Sequence, residues 1–213
     1  MDCSANEITT LEPLKDLKLD YLDCSGNHLE TLEPFVTASN PPSMFVFECY
    51  TLSDAEIKRA IAAWSAKRLK FNVSYGELLL ALRHEDFSKV RSLATEFAGH
   101  RYLFVQKPMK AEEAKRFCAK VDGHLVTITS VDENEFLRSI TPPSVGCRIG
   151  LIVSNGKPQW VTGEKIENFV SALTDFRPSD DIVTWKNGSW LPLPLKDDKP
   201  MPFIIEWDEA VTE

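Results

Sequence analysis

Four histidines are the side chains of this sequence best suited to ligate a metal or move a proton near neutral pH: His28, His84, His100 and His124. No two stand at the i, i+4 spacing that places a metal-binding pair on one helix face. His100 and His124 each follow a glycine, Gly99 and Gly123, and are read as structural histidines. There is no glycine-rich phosphate loop, no Gly-x-Ser-x-Gly elbow and no Cys/His nucleophile arrangement. Carboxylates are abundant, but nothing in their spacing makes two of them converge on a cleft. The chain is therefore expected to be non-catalytic, with no cofactor and no metal.

The cysteines, Cys3, Cys24, Cys49, Cys118 and Cys147, are odd in number, and none lies in a Cys-x-x-Cys pair. Secreted disulfide frameworks carry even, dense cysteines. Five reduced, buried thiols behaving as small hydrophobes are expected instead, and with them a reducing, bacterial-type cytoplasmic setting. The net charge of -8 repels phosphate backbones and argues against nucleic acid as a partner. No apolar stretch approaches the roughly 18 residues that span a bilayer. Met1 to Thr10 shows neither the basic nor the apolar region of a signal peptide. A membrane is thus not an expected partner. With 213 residues, 43% of them hydrophobic, the chain can form one large domain or two small ones.

The elements begin with a repeat. Asp2-Cys3-Ser4-Ala5-Asn6 recurs as Asp23-Cys24-Ser25-Gly26-Asn27, and Leu11-Glu12-Pro13-Leu14 recurs at the same offset as Leu32-Glu33-Pro34-Phe35. The second copy reads Leu19-x-x-Leu22-x-Cys24-x-x-Asn27-x-Leu29. This resembles the leucine-rich repeat, whose period is about 20–29 residues. Leu22 and Cys24 would point inward from a short strand, Asn27 would bond the backbone of the turn, and Leu29 and Leu32 would fill the interior. Fewer than two full repeats do not make a stable solenoid. The chain is therefore expected to be the C-terminal piece of something longer, or else the turns act as an N-terminal cap on the rest of the chain.

After a connection around Asn40-Pro41-Pro42, Met44 to Cys49 reads as a strand. Three helices are then expected. Ser53-Asp54-Ala55-Glu56 is a capping box ahead of Ile57, Ala60, Ile61 and Trp64. Ser74-Tyr75-Gly76-Glu77 is read as a second box ahead of Leu78, Leu79 and Leu82. Asp86 caps a third helix with Phe87, Val90, Ala94 and Phe97 along one stripe, ended by Gly99. The stripes are read as internal packing rather than as a partner groove.

From Gly99 the pattern becomes α+β. Tyr102 to Val105 reads as a strand, Glu112 to Val121 as a helix ended by Gly123, and His124 to Ile128 as strand-like. Ser130-Val131-Asp132-Glu133 opens another helix, with Phe136, Leu137 and Ile140 inward. Asn187-Gly188, between Val183-Thr184-Trp185 and Ser189-Trp190-Leu191, is a strong hairpin signal.

The runs Gly99-His100-Arg101-Tyr102, Ala111 to Cys118, Gly123 to Ser130, Glu133 to Leu137, Ile149-Gly150-Leu151, Gln159 to Glu164, Gly188-Ser189-Trp190 and Pro202 to Glu206 occur in the order that C-type-lectin-like domains use. Residues 99 to 208 resemble that family. The resemblance implies a C-type-lectin-like fold: two helices and antiparallel sheets with a long loop. Here the fold stands behind a short leucine-rich-repeat and helical N-terminal region. Arg148 stands where the family has tryptophan.

The departures bear on function. The family's calcium loop, of Glu-Pro-Asn or Gln-Pro-Asp type, corresponds to Arg177-Pro178-Ser179, and its Trp-Asn-Asp to Trp190-Leu191-Pro192. Calcium needs about six to eight oxygen ligands, so a guanidinium and a leucine remove the site. Asp175, Asp180 and Asp181 remain nearby and are read as a solvated acidic loop. The family's disulfides are also gone: the resemblance would pair Cys118 with the position of Ile205, and an inner cysteine is missing at Ile182.

These observations lead to a non-catalytic, calcium-independent recognition module for a protein or saccharide ligand. By resemblance, the ligand contacts the long-loop face through Asp175, Arg177, Asp180, Asp181 and Trp185, while Trp190 packs in the core. The alternative is a regulatory or scaffolding region of a larger multidomain protein, with an upstream kinase by family analogy. Three segments are expected: leucine-rich turns over 1–43, a helical linker subdomain over 44–98 and the lectin-like domain over 99–213.

Overall fold

The computed structural model describes residues 1–143, 145–154, 157–166, 182–193 and 195–208. The chain divides into two compact units, Met1–Leu93 and Ala94–Glu213.

In the first unit, β1 (Tyr21–Asp23) and β2 (Met44–Val46) pair in parallel, Leu22 opposite Phe45. Asp2 adds an isolated parallel bridge to Asp23. The chain therefore returns in the same direction on each pass. Asn27 connects the passes: its Oδ1 accepts from Ile8 N at 3.0 Å, and its Nδ2 donates to the carbonyls of Cys3 at 3.0 Å and Cys24 at 2.8 Å. Leu11, Leu22, Cys24, Leu29 and Leu32 are fully buried.

A short α1 (Glu33–Thr37) precedes β2, and three helices follow it: α2 (Asp54–Ala66), α3 (Lys70–Arg83) and α4 (Phe87–Ser92). Ser53 caps α2 by accepting from Glu56 N at 3.2 Å, as its sequence demands. The second capping box is overturned. Ser74 lies inside α3, which starts at Lys70 without a side-chain cap. Tertiary contacts hold that first turn. Asn72, fully buried, accepts from Phe45 N and donates to Pro42 O, both at 2.9 Å. Gly76 lets α3 approach α2, since a Cβ there would lie 2.6 Å from Ile61 Cγ1.

The third helix is also shorter than expected. It ends at Ser92, and Thr95–Phe97 forms β3, paired antiparallel with β4 (His100–Met109). Ala98 and Gly99, with φ of 50° and 83°, make the two-residue turn between them. Gly99 therefore turns a hairpin rather than ending a helix. Phe97 stacks on Phe136 with ring centroids 4.4 Å apart.

The second unit continues through α5 (Ala111–Lys120), β5 (His124–Leu125), α6 (Val131–Ile140), β6 (Cys147–Ser154), β7 (Lys157–Trp160), β8 (Ile182–Lys186), β9 (Ser189–Leu193) and β10 (Met201–Asp208). The sheet order is β3-β4-β10-β6-β8-β9, with β5 on β10 and β7 on β6. Apart from the parallel contact of β10 with β6, its ladders are antiparallel. Cys118 and Ile205, the positions of the missing crosslink, are both fully buried, and all five thiols are free.

Two glycines permit close approaches. At the end of α5 the left-handed conformation is taken by Asp122 (φ 56°), not by Gly123. Gly123 is needed for space, because a Cβ there would lie 2.8 Å from Glu206 O. A Cβ on Gly150 would lie 2.5 Å from Leu125 O and 3.0 Å from Val126 O, both backbone atoms that cannot rotate away. Gly150→Ala is expected to lower the unfolding midpoint of the second unit, at a cost of about 1–3 kcal/mol. Scanning calorimetry checks this, and an unchanged midpoint contradicts it.

Candidate functional site

Two regions of the second unit gather side chains capable of recognition. The first is the hairpin that follows the long loop. Asn187 and Gly188, with φ of 48° and 85°, impose a tight turn of the type that matches strand twist. It sets Trp185 opposite Trp190. The two indoles differ in role from the expectation. Trp185, assigned to the ligand face, is fully buried, and its Nε1 donates to Asn134 Oδ1 at 2.7 Å on α6. It is a core residue with a satisfied polar end. Trp190, expected in the core, is only half-buried and meets Trp160 edge to face at 5.5 Å. Leu191 beside it is 51% exposed. The other expected contacts, Asp175, Arg177, Asp180 and Asp181, lie outside the described residues.

The second region is one that the sequence does not announce. The antiparallel register of β10 with β4 sets Asp208 opposite His100 and Glu206 opposite Tyr102, while β5 sets His124 opposite Glu206. Pairing thus collects two histidines and two carboxylates at one end of three strands. His100 Nδ1 lies 2.9 Å from Glu206 Oε1 and 3.0 Å from Asp208 Oδ1. His124 Nε2 lies 3.4 Å from Asp208 Oδ2. Behind them the Tyr102 hydroxyl donates to Glu133 Oε1 at 2.8 Å and stands 3.3 Å from Glu206 Oε1. Thr127 N donates to Glu206 Oε2 at 2.8 Å, and Thr129 N donates to Glu133 Oε2 at 2.7 Å. Glu133 and Glu206 are both buried.

Burial holds the Glu206 carboxyl well above the usual carboxylate range, assisted by the negative charges of Glu133 and Asp208 and opposed by the Thr127 N–H and by His100. Burial and the carboxylates of Glu206 and Glu133 push the Tyr102 phenol up as well. Among the described residues, His100, Glu206 and Asp208 are the group whose ligand-type atoms converge closely enough to hold a metal ion, all within 4.8 Å of one another. Sequence spacing could not reveal this cluster, because strand pairing brings His100 to a residue 108 positions away. The available signals were two Gly-His dipeptides and the Glu206-x-Asp208 alternation, which puts both carboxylates on one face of a strand.

Residues 107–192 match the family model described as the lectin C-type domain. Mouse asialoglycoprotein receptor 1 is 36% identical over 93 residues, covering 44% of this chain and 31% of that protein. Mouse C-type lectin domain family 10 member A is 30% identical over 86 residues, 40% of this chain and 28% of that protein. The chain spans about a third of the length of these curated relatives. Among solved structures, a mouse scavenger receptor C-type lectin carbohydrate-recognition domain aligns with a TM-score of 0.47 at 25% identity, covering 55% of this chain and 96% of its own. A calcium-independent type II antifreeze protein aligns with a TM-score of 0.48 at 18% identity, covering 55% and 92%. Residues 107–192, from within β4 to β9, are thus similar to the C-type lectin domain.

Proposed function

We propose that the second unit is a non-catalytic, calcium-independent recognition module that binds a protein or carbohydrate ligand, with the polar contacts expected from the long loop by resemblance and the apolar ones from β9. One observation carries the calcium-independent part. Where the resemblance puts oxygen-bearing side chains after Trp190, the chain has Leu191, 51% exposed, followed by Pro192. Calcium is held by about six to eight oxygens, and neither side chain offers one. The half-buried Trp190 and exposed Leu191 supply apolar surface instead. An indole of this kind suits either a protein contact or the face of a sugar ring. Asp175, Arg177, Asp180 and Asp181 remain the proposed polar contacts of the loop.

The first unit we read as leucine-rich turns joined to a helical subdomain. The parallel register of β1 and β2 and the Asn27 hydrogen bonds between passes support that reading. The free thiols support a reducing compartment.

Thermal unfolding of the purified chain tests the calcium assignment. A ligand that binds only the native state raises the midpoint. The expected result is an unchanged midpoint when millimolar calcium is added to chain first stripped with EDTA and dialysed. A calcium-induced rise that EDTA reverses would sink the calcium-independent reading.

A further inference from the structure

We propose that His100, His124, Glu206 and Asp208 form a site for a divalent transition-metal ion of the zinc class. Four-coordinate zinc with nitrogen and oxygen ligands at about 2.0–2.2 Å holds its ligand atoms about 3.3 Å apart. His100 Nδ1 stands 2.9 Å and 3.0 Å from the Glu206 and Asp208 oxygens, and His124 Nε2 stands 3.4 Å from the second Asp208 oxygen. The two His100 separations need to open by only a few tenths of an ångström to admit the ion. The ligand atoms of His100, Glu206 and Asp208 all lie within 4.8 Å of one another, and His124 adjoins that group through Asp208.

The tautomer of His124 is a second observation. Its Nδ1 lies 3.0 Å from Leu125 O, and a carbonyl oxygen only accepts, so Nδ1 carries the proton. The Nε2 lone pair is therefore free to ligate. That nitrogen is inaccessible to solvent and has no hydrogen-bond partner among the described residues. It faces the Asp208 carboxylate. Two lone pairs set against each other repel unless a cation or a proton lies between them. A histidine whose other nitrogen is fixed by a backbone carbonyl is also the usual state of a metal ligand. Glu206 is oriented in the same way, by the Thr127 N–H at 2.8 Å.

Two imidazoles and two carboxylates give a neutral site with a doubly charged ion. Imidazole nitrogen favours zinc, nickel or cobalt over calcium and magnesium, which take oxygen. Entry is open, since Asp208 is 63% exposed and His100 36%. A bound ion would join the start of β4, β5 and the end of β10.

The test is calorimetric titration of zinc into the EDTA-stripped, dialysed full chain, with thermal unfolding alongside and cobalt as a spectroscopic probe. The expected result is one saturable site per chain, a midpoint rise on the order of 5 °C at saturating zinc, and visible cobalt absorption of a low-coordinate nitrogen–oxygen set. Asp208→Asn and His124→Gln are each expected to weaken binding by about 10-fold or more. Asp208 is largely exposed, so its variant is expected to fold. The assignment is overturned if zinc gives no saturable binding, or if binding survives both substitutions unchanged. It is also overturned if cobalt shows the intense charge-transfer band of thiolate ligation, which would place the ion on the cysteines.

Discussion

Trp64→Ala is expected to destabilise the first unit by about 3–5 kcal/mol, a large part of the total stability of an ordinary domain. Trp64 is fully buried and lies at the middle of an aromatic cluster. Its ring is 6.0 Å from that of Phe45 and 5.3 Å from that of Phe47, and Phe45 in turn meets Phe35 at 5.1 Å. The indole Nε1 donates to Phe35 O at 3.3 Å, so it ties α2 to α1. Truncation removes the largest side chain of this core, opens a cavity among rings held by their neighbours, and takes away that donor. Urea unfolding, with amide exchange followed at residues 44–47 and 57–64, reads the effect. Trp64→Phe is expected to cost less, because it keeps most of the ring volume. Tyr50→Ala, at a side chain 94% exposed, is expected to change stability by no more than about 0.5 kcal/mol. Equal losses for Trp64→Ala and Tyr50→Ala would contradict this account of the core.

Local signals in the sequence are reliable where the physics is local. Ser53 and Ser130 cap their helices because a hydroxyl two or three residues before free N–H groups needs no other partner. Asn187-Gly188 turns a hairpin because both residues tolerate positive φ. The order of lectin motifs locates the second domain because many short runs agree at once. Errors arise where a pattern fits two structures. Val90, Ala94 and Phe97 match a helical stripe, but Thr95–Phe97 gains a strand partner across the Ala98-Gly99 turn. Ser74 and Glu77 match a capping box, yet Asn72 and its bonds to Phe45 and Pro42 fix a helix that begins earlier.

The candidate sites are less legible for a related reason. Trp185 and Trp190 are cross-strand partners, and nothing in their sequence neighbourhood says which is inside. Asn134, on a helix far away in sequence, decides it by accepting the Trp185 N–H. The histidine–carboxylate cluster is likewise a product of strand register. Each of its members is an ordinary polar residue until β4, β5 and β10 are aligned.

Arg148 shows how a departure from a family pattern acquires partners of its own, and its replacement is the other large expected effect. It stands where the resemblance calls for tryptophan, and its side chain is only 3% exposed. The guanidinium donates through Nε to Met109 O at 2.8 Å and through Nη2 to Asp198 Oδ1 and Lys199 O. Asp198, 10% exposed, also accepts from Ala111 N at 3.0 Å, at the first residue of α5. One cation thus fastens β6 to the end of β4, to the start of α5 and to the segment before β10. Removing it strands a buried carboxylate and two carbonyls. Arg148→Ala is therefore expected to cost about 3–5 kcal/mol. Arg148→Trp restores the family residue but not its surroundings, and it is expected to be destabilising as well, since Asp198 is left without its counter-charge. Adding Asp198→Asn to Arg148→Met removes that charge while keeping an acceptor for Ala111 N, and this pair is expected to recover much of the loss. A double-mutant cycle in urea measures the coupling. If Arg148→Met alone were as stable as the parent, the pair would contribute nothing net. If the double variant were no better than Arg148→Ala, the loss would come from packing of the long side chain rather than from the stranded charge.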